Sequence, residues 1–442
     1  MMAPEADLVA PRHVAFVSQP RDGLQASGRQ SGSVAIVLAE LVKALGERVR
    51  ATAVGPIKPG QASIEHADRG YPIHRVEAGS RNLEKLLELL DPRPLPRLMS
   101  PAYYRGYFER AAAALVPLRP DIVHLMTSAA AGPVFRRALP GVPLVLHLHD
   151  DMLTRIDPAL AARQVEPFAA VVTCSRWLSE TLKARLPSHA DRIWPIGNGI
   201  DPELFSQNQE ERRPRPIRKL IMVGRVSPEK GPHVLLEAFA RLAPAYPDLT
   251  LELVGPVGLL PLGHARLMAE NTPSMAETVR RFYGRGAAAM VSQFWRPGPT
   301  LVQRLLALVP PQLRQRVSLT GPQPHDRLAA IYQDADLLIQ PSVCREGYGL
   351  PVAEAMASGL PVVASGHGGL LDLVDDGTTG LLVPPGDPEA LARAIARLLD
   401  DPARTHSLGQ AGRVQAMASL TWQCAAARLA EVYARLPAQD AA

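Results

Sequence analysis

The stretch Glu346 to Glu354, EGYGLPVAE, sets two carboxylates on either side of a glycine-bearing turn. The turn follows an apolar run, DADLLIQPS (Asp334 to Ser342), with the length and composition of a buried parallel strand. Pro351 suits the first turn of a helix, and Glu354, Ala355, Met356 and Ala357 are helix formers. A strand tip, a glycine turn and a helix start together aim backbone N–H groups and a positive dipole end at one point. Carboxylates beside that point suit hydroxyl groups, on a sugar or a ribose, because an ionised carboxylate only accepts hydrogen bonds. The plainer alternative is that both glutamates do no more than charge a helix start. A second pair of candidates, Arg225 and Lys230, flanks the loop RVSPEKG between the strand-like KLIMVG and the helix-like PHVLLEAFARLA. Two cations at a strand-to-helix turn suit the two phosphates of a nucleotide, Arg in bidentate fashion and Lys as a point charge. Their plain role is solubility. A third set lies in PLVLHLHD, where His147 and His149 alternate onto one strand face near its carboxyl end. With Asp150 and Asp151 they spell a metal cluster on paper, but adjacent aspartates point apart and no downstream ligand set completes it. A strand-tip histidine bonding a ligand is the simpler reading.

The elements that must position these residues alternate strand and helix twice over. HVAFVS, a polar loop, a helix from Val34 to Leu45 (Ser33 its N-cap, Gly46 its stop) and ATAVG open a doubly wound sheet. No G-x-G-x-x-G joins that first strand to its helix, so it is not a dinucleotide fingerprint. Gly28 and Gly32 either bring backbone amides to a ligand or simply loosen the loop. DIVHLM, PLVLHLHD, AAVVTCS and the short RIWPIGNGID continue the strands. The polar, proline-bearing SQNQEERRPRP (Ser206 to Pro216) ends the first unit, and KLIMVG restarts the alternation. Two segments depart from it. Asp91 to Pro120 combines prolines, arginines and aromatics, which reads as a solvated basic helix with an aromatic core face, or else as an acceptor-binding or membrane-grazing surface. Roughly sixty residues separate LTLELVGP from RVSLTG, longer than an α/β connection needs. Arg266 to Arg316 there holds eight arginines against Glu270 and Glu277, a basic helical excursion near the strand tips. Helices from Pro388 to Leu399 and Leu420 to Leu436 close the chain.

At 442 residues, two domains are expected. Apolar content of 47% with 21% charged residues is ordinary for a soluble globular chain. Cys174, Cys344 and Cys424 lack metal-ligand spacing, which favours free thiols in a reducing compartment. No apolar run approaches a membrane span and the start lacks a signal-peptide core, so a cytoplasmic protein is expected. A net charge of +5 suits anionic ligands, and no Lys/Arg run with interleaved aromatics suggests nucleic acid.

In this order and spacing the chain resembles the retaining glycosyltransferases of family GT4. GRVSPEKG is similar to that family's phosphate loop, and EGYGLPVAEAMASGLPVVAS, followed by a Gly-Gly turn and VPPGD, to its paired-glutamate segment. IGNGID, CSRWL and the late Trp422 also fit. The resemblance implies a GT-B fold: an acceptor-side Rossmann-like domain over 1–206, a nucleotide-sugar domain over 207–418 with the basic insertion at about 257–315, and a helix over 419–442 returning to the first domain. It gives Arg225 and Lys230 to the donor diphosphate, Glu346 to the transferred sugar and Glu354 to the ribose. Gly347, Tyr348 and Gly349 would offer backbone amides, with Gly224 and Leu350 beside the donor. Gly32 would line the donor phosphate or the acceptor, and His149 would face the sugar across the cleft. It implies a hexosyltransferase-like enzyme using a UDP- or GDP-sugar, with no metal or other cofactor. The acceptor would be a small metabolite or a lipid-linked glycan, the latter with peripheral contact on the inner membrane surface. Two departures stand out: Asp372 where the family often has Glu, and the long excursion. The competing readings are a non-catalytic nucleotide-sugar-binding protein and a metal hydrolase built on His147, His149 and Asp150.

Overall fold

The structure, a computed structural model, describes residues 11–437 except 28, 29, 31, 69, 81, 82, 85, 86, 88–96, 206–213 and 284–299. Gly28 therefore lies outside the described residues, as does much of the expected linker. The first sheet contains β1 (Arg12–Val17), β2 (Val49–Pro56), β3 (Ile64–His66), β4 (Pro72–Val76), β5 (Ile122–Met126), β6 (Leu144–Leu148), β7 (Ala170–Thr173) and β8 (Ile193–Pro195). Its order is β3-β4-β2-β1-β5-β6-β7-β8, parallel except for β3 against β4. The second contains β9 (Lys219–Val223), β10 (Thr250–Val254), β11 (Val317–Gly321), β12 (Leu337–Gln340), β13 (Val362–Ser365) and β14 (Leu381–Val383). Its order is β11-β10-β9-β12-β13-β14, parallel throughout. Chain direction across each sheet reverses beside its first strand, between β1 and β5 and between β9 and β12. Loops leaving those paired strands diverge to opposite sides and open a crevice at the carboxyl ends.

The central strands are buried along nearly their whole length because helices cover both faces. The closing helix, Trp422–Arg435, returns to the first unit: Trp422, Leu429 and Tyr433 share a core with Val14, Phe16 and Leu38. Arg12 ties it down by donating to the carbonyls of Tyr433 and Leu436 at 2.9–3.1 Å. The aromatic-rich segment buries Tyr107 and Phe108 under the helix Arg105–Leu115, as its core-face reading expects.

Three local expectations change. Ser33 does not cap the first helix; it is its first residue, and Gly32 holds the cap position at φ 102° without a side-chain bond. A helix unforeseen from sequence, Pro402–Ser419, precedes the closing one, which starts at Trp422 with Thr421 as its cap (Oγ1 accepting from the Cys424 N–H at 3.2 Å). Its apolar residues do not follow a helical repeat; it seats itself through Gly409, where any side chain would collide with the Gly359 carbonyl. The basic excursion contains the helices Leu262–Ala269, Pro273–Phe282 and Leu301–Leu306. Several of its described arginines are engaged within the protein, residues 284–299 lying outside the described residues. Arg316 donates to the carbonyls of Leu249, Ala243 and Tyr246, Arg304 to those of Phe282 and Arg281, and Arg281 pairs with Glu237 at 2.7 Å. Through Arg304 and Arg316 the described part of the stretch ties down helix ends. No helix among the described residues is long and apolar enough to cross a membrane.

Candidate active site

The β9 and β12 loops meet at the reversal point of the second sheet. After β9 the chain makes a short turn, Pro228–Lys230, and Gly231 (φ 75°) lies against the Pro341 carbonyl so closely that any side chain would collide. That contact pins the cationic loop onto the end of β12. Lys230 Nζ consequently lies 2.6 and 2.7 Å from the two carboxylate oxygens of Glu346. Glu346 also accepts from the Ser342 hydroxyl and, at 3.3 Å, from Gln340 Nε2. Burial pushes the Glu346 carboxyl upward, but the Lys230 charge and these hydrogen bonds outweigh it and hold it below the ordinary value. Burial likewise pulls Lys230 down, and the Glu346 charge more than reverses this. Both groups stay ionised. From sequence the two belonged to separate parts of a donor; the fold joins them in one ion pair. Arg225 is half exposed, its Nε 3.5 Å from buried Glu229, so its guanidinium fork keeps donors to spare. Gly224 before it takes φ 129°.

Glu354 lies inside the helix Leu350–Ala357 and is buried. One oxygen is 2.7 Å from His325 Nε2 and the other accepts from the Tyr332 hydroxyl at 2.8 Å. A hydroxyl-binding role would thus rest on its second lone pairs, or be shared with His325. His325 borders a cavity of about 360 Å³ together with Gln25, Gln30, Asp201 and Trp422. Nothing local in the sequence marks His325, a lone histidine between β11 and the next helix.

Gly347 abuts the first unit, where a side chain would collide with the His149 carbonyl. Gly349, at φ 108°, turns the chain into the Leu350–Ala357 helix, and Leu350 packs into the core beside it. The Tyr348 ring does not face the crevice: it is buried and its hydroxyl donates to the Asn198 carbonyl at 2.8 Å, a tie between units. The Gly-Gly turn presses on the same loop, the Gly369 N–H donating to the Glu346 carbonyl at 2.8 Å. Asp372, left open by the sequence, accepts from the Trp177 N–H at 2.8 Å at the start of the Arg176–Arg185 helix, another tie.

The facing wall is the end of β6. His147 and His149 do share a strand face, their rings 4.2 Å apart, but only the second reaches the edge of the crevice. His147 is fully buried with neither ring nitrogen bonded. Behind it His124 Nδ1 lies 2.6 Å from the Tyr433 hydroxyl. Burial drives His149 down to about 3 and His147 well below its ordinary value, so both imidazoles are neutral. Burial also pushes Asp150 up to about 6; its one hydrogen bond comes from the Met152 N–H at 3.1 Å. Asp151 turns the other way and pairs with Arg155 at 2.6 Å. Among the described residues no three His, Cys, Asp or Glu side chains converge as a metal site, so His147, His149 and Asp150 do not form the hydrolase centre considered above. Gly32 precedes the Ser33–Leu45 helix, where a side chain would meet the Asp22 carboxylate.

Known proteins align with this arrangement. The family description "Glycosyltransferase Family 4" matches residues 34–204 and "Glycosyl transferases group 1" matches residues 291–401. The chain is 30% identical to the D-inositol 3-phosphate glycosyltransferase of Streptosporangium roseum over 83% of its own length and 79% of that protein. It is 28% identical to the Corynebacterium diphtheriae enzyme of the same name over 95% and 92%. Among solved structures, sucrose-phosphate synthase from Thermosynechococcus elongatus matches with a TM-score of 0.69 at 24% identity, covering 96% of this chain and 98% of that one. The Anabaena protein HepE in complex with UDP-glucose matches with a TM-score of 0.64 at 19% identity, covering 96% and 100%.

Proposed function

The chain belongs to glycosyltransferase family GT4, with the GT-B fold of two facing α/β units, and from that membership we propose that it transfers a sugar from a nucleoside-diphosphate sugar with retention of configuration. The observation that carries this reading is the Lys230–Glu346 pair at the sheet reversal, with Arg225 beside it. Lys230 presents an ammonium already oriented by Glu346, Arg225 adds a half-exposed guanidinium, and the helix start after Gly349 adds backbone N–H groups. Together they would stabilise the charge that develops on a departing diphosphate, without requiring a metal ion. Glu346 would accept hydrogen bonds from the transferred sugar, Glu354 with His325 from the ribose. The neutral His149, across the crevice, can donate to a sugar hydroxyl without adding charge. The departing phosphate itself would take the acceptor proton during a same-face attack.

A small polyol or sugar metabolite is the favoured acceptor class, because Arg304 and Arg316 of the excursion are engaged with carbonyls inside the second unit. The inositol phosphate in the relatives' names is the first acceptor to try. The deciding experiment is a thermal-shift screen of UDP-, GDP- and ADP-sugars, followed by turnover of each hit with and without chelator. A melting point raised by one nucleotide sugar, with turnover unaffected by EDTA, supports the reading. Dependence of turnover on added Mg²⁺ or Mn²⁺ would remove its metal-independent part, and binding without transfer to any of a broad acceptor panel would favour a non-catalytic sugar-nucleotide binder.

A further inference from the structure

The loop after β6 carries Arg155, whose side chain is 2% exposed. Its Nε donates to Asp151 Oδ2 at 2.8 Å, and Nη2 lies 2.6 Å from the same oxygen. Its other terminal nitrogen, Nη1, reaches into the second unit. There it donates to the Met268 carbonyl at 2.8 Å, with the Glu270 carbonyl at 3.2 Å and the Leu267 carbonyl and Thr272 hydroxyl at 3.4 Å. These acceptors are the end of the Leu262–Ala269 helix and the turn beyond it. The last carbonyls of a helix have no partner within it, and they carry the negative end of its dipole. A buried guanidinium therefore fits this turn in both geometry and charge.

The same turn is held from the opposite side. Arg345 Nη2 donates to the Asn271 carbonyl at 2.9 Å, and Ser274 Oγ to the Val343 carbonyl at 2.9 Å. Arg345 and Val343 belong to the loop that carries Glu346. Residues 262–274 thus run from the sugar-facing loop of one unit to the β6 loop of the other, where His149 and Asp150 stand. Separating the units would withdraw Arg155 Nη1 from all of these acceptors at once, leaving it only the Asp151 pair of its own loop.

We propose that Arg155 is a positioning residue, the clasp by which the 262–274 segment straps the two units together and holds His149 and Asp150 opposite Glu346. The clasp goes beyond the donor chemistry, and its test requires no nucleotide sugar, so it stands or falls separately from that reading. The experiment is double electron–electron resonance on the full chain, with spin labels introduced by Glu47→Cys and Asp248→Cys, two exposed positions on different units, in a Cys424→Ser background. Wild type should give one narrow inter-unit distance. Arg155→Ala should broaden it and lengthen its mean by several ångströms, and Arg155→Lys, whose ammonium can approach the same carbonyls, should recover part of the narrow population. Arg155→Gln, uncharged but still a donor, is measured alongside in case the alanine variant does not fold. An unmoved distance in whichever of the two folds overturns the clasp, even if its melting point falls.

Discussion

On the second-unit wall of the crevice both candidate carboxylates are partnered: Glu346 by Lys230, Ser342 and Gln340, Glu354 by His325 and Tyr332. On the first-unit wall, only a loop away, His147 has no bond to either ring nitrogen and Asp150 accepts a single backbone N–H. Both walls are built from strand ends of parallel sheets, so the difference is not architectural. Ionised groups brought together at low dielectric stabilise each other's charge, whereas the same burial without a counter-charge drives groups to their neutral forms. One wall is electrostatically preorganised; the other sets neutral imidazoles beside a carboxyl whose ionisation burial makes costly.

Breaking the partnered wall should have the largest effects. Glu346→Ala leaves the partly buried Lys230 without its counter-charge, and should cost up to about 3–5 kcal/mol of stability in urea unfolding at pH 7. Wild-type stability in that variant would show that Lys230 is solvated rather than paired. Lys230→Ala should lower turnover at saturating donor by about 2–4 kcal/mol of transition-state stabilisation, by analogy with losing one oxyanion donor. Near wild-type turnover there would sink the diphosphate assignment. The double variant should lose less than the sum of the singles, since the two residues act as one unit.

Testing the unpartnered wall should give smaller effects, one of opposite sign. Asp150 titrates near 6 when folded, above its ordinary value of 3.8. The folded state therefore binds that proton more tightly, and stability is lost as pH rises from below 4 through 6. Asp150→Asn should raise stability at pH 7.5 by up to about 3 kcal/mol, the equivalent of some two pKa units, and the gain should vanish near pH 3.5. No gain at pH 7.5 would mean a cation compensates Asp150. His147→Phe, replacing a ring whose nitrogens make no bond, should change stability by less than about 1 kcal/mol. A larger loss would place a buried water against that ring.

The candidate residues of the second unit are legible in the sequence because they sit in short, contiguous stretches with strand, turn and helix signals attached. Arg225, Lys230, Glu346 and Glu354 could each be singled out that way. His325, Tyr332 and Arg155 could not: each matters through a partner far along the chain, and a lone His, Tyr or Arg carries no local signal. The Pro402–Ser419 helix escaped for a related reason. Its contact rests on glycine backbone rather than an apolar stripe, so hydrophobic periodicity is silent.

The sequence by itself determined the alternation of strands and helices, the GT-B layout and the identity of the charged residues at two strand-to-helix turns. Local propensity and apolar patterning suffice for these, because each is decided within a dozen or so residues. Only the tertiary structure decided who partners whom. The reversal between β9 and β12 joins Lys230 to Glu346, a return path sends Tyr348 and Asp372 to the first unit, and a strap brings helix carbonyls to Arg155. Charge pairing and desolvation depend on distance in space, and the order of strands in a sheet is what converts separation along the chain into that distance.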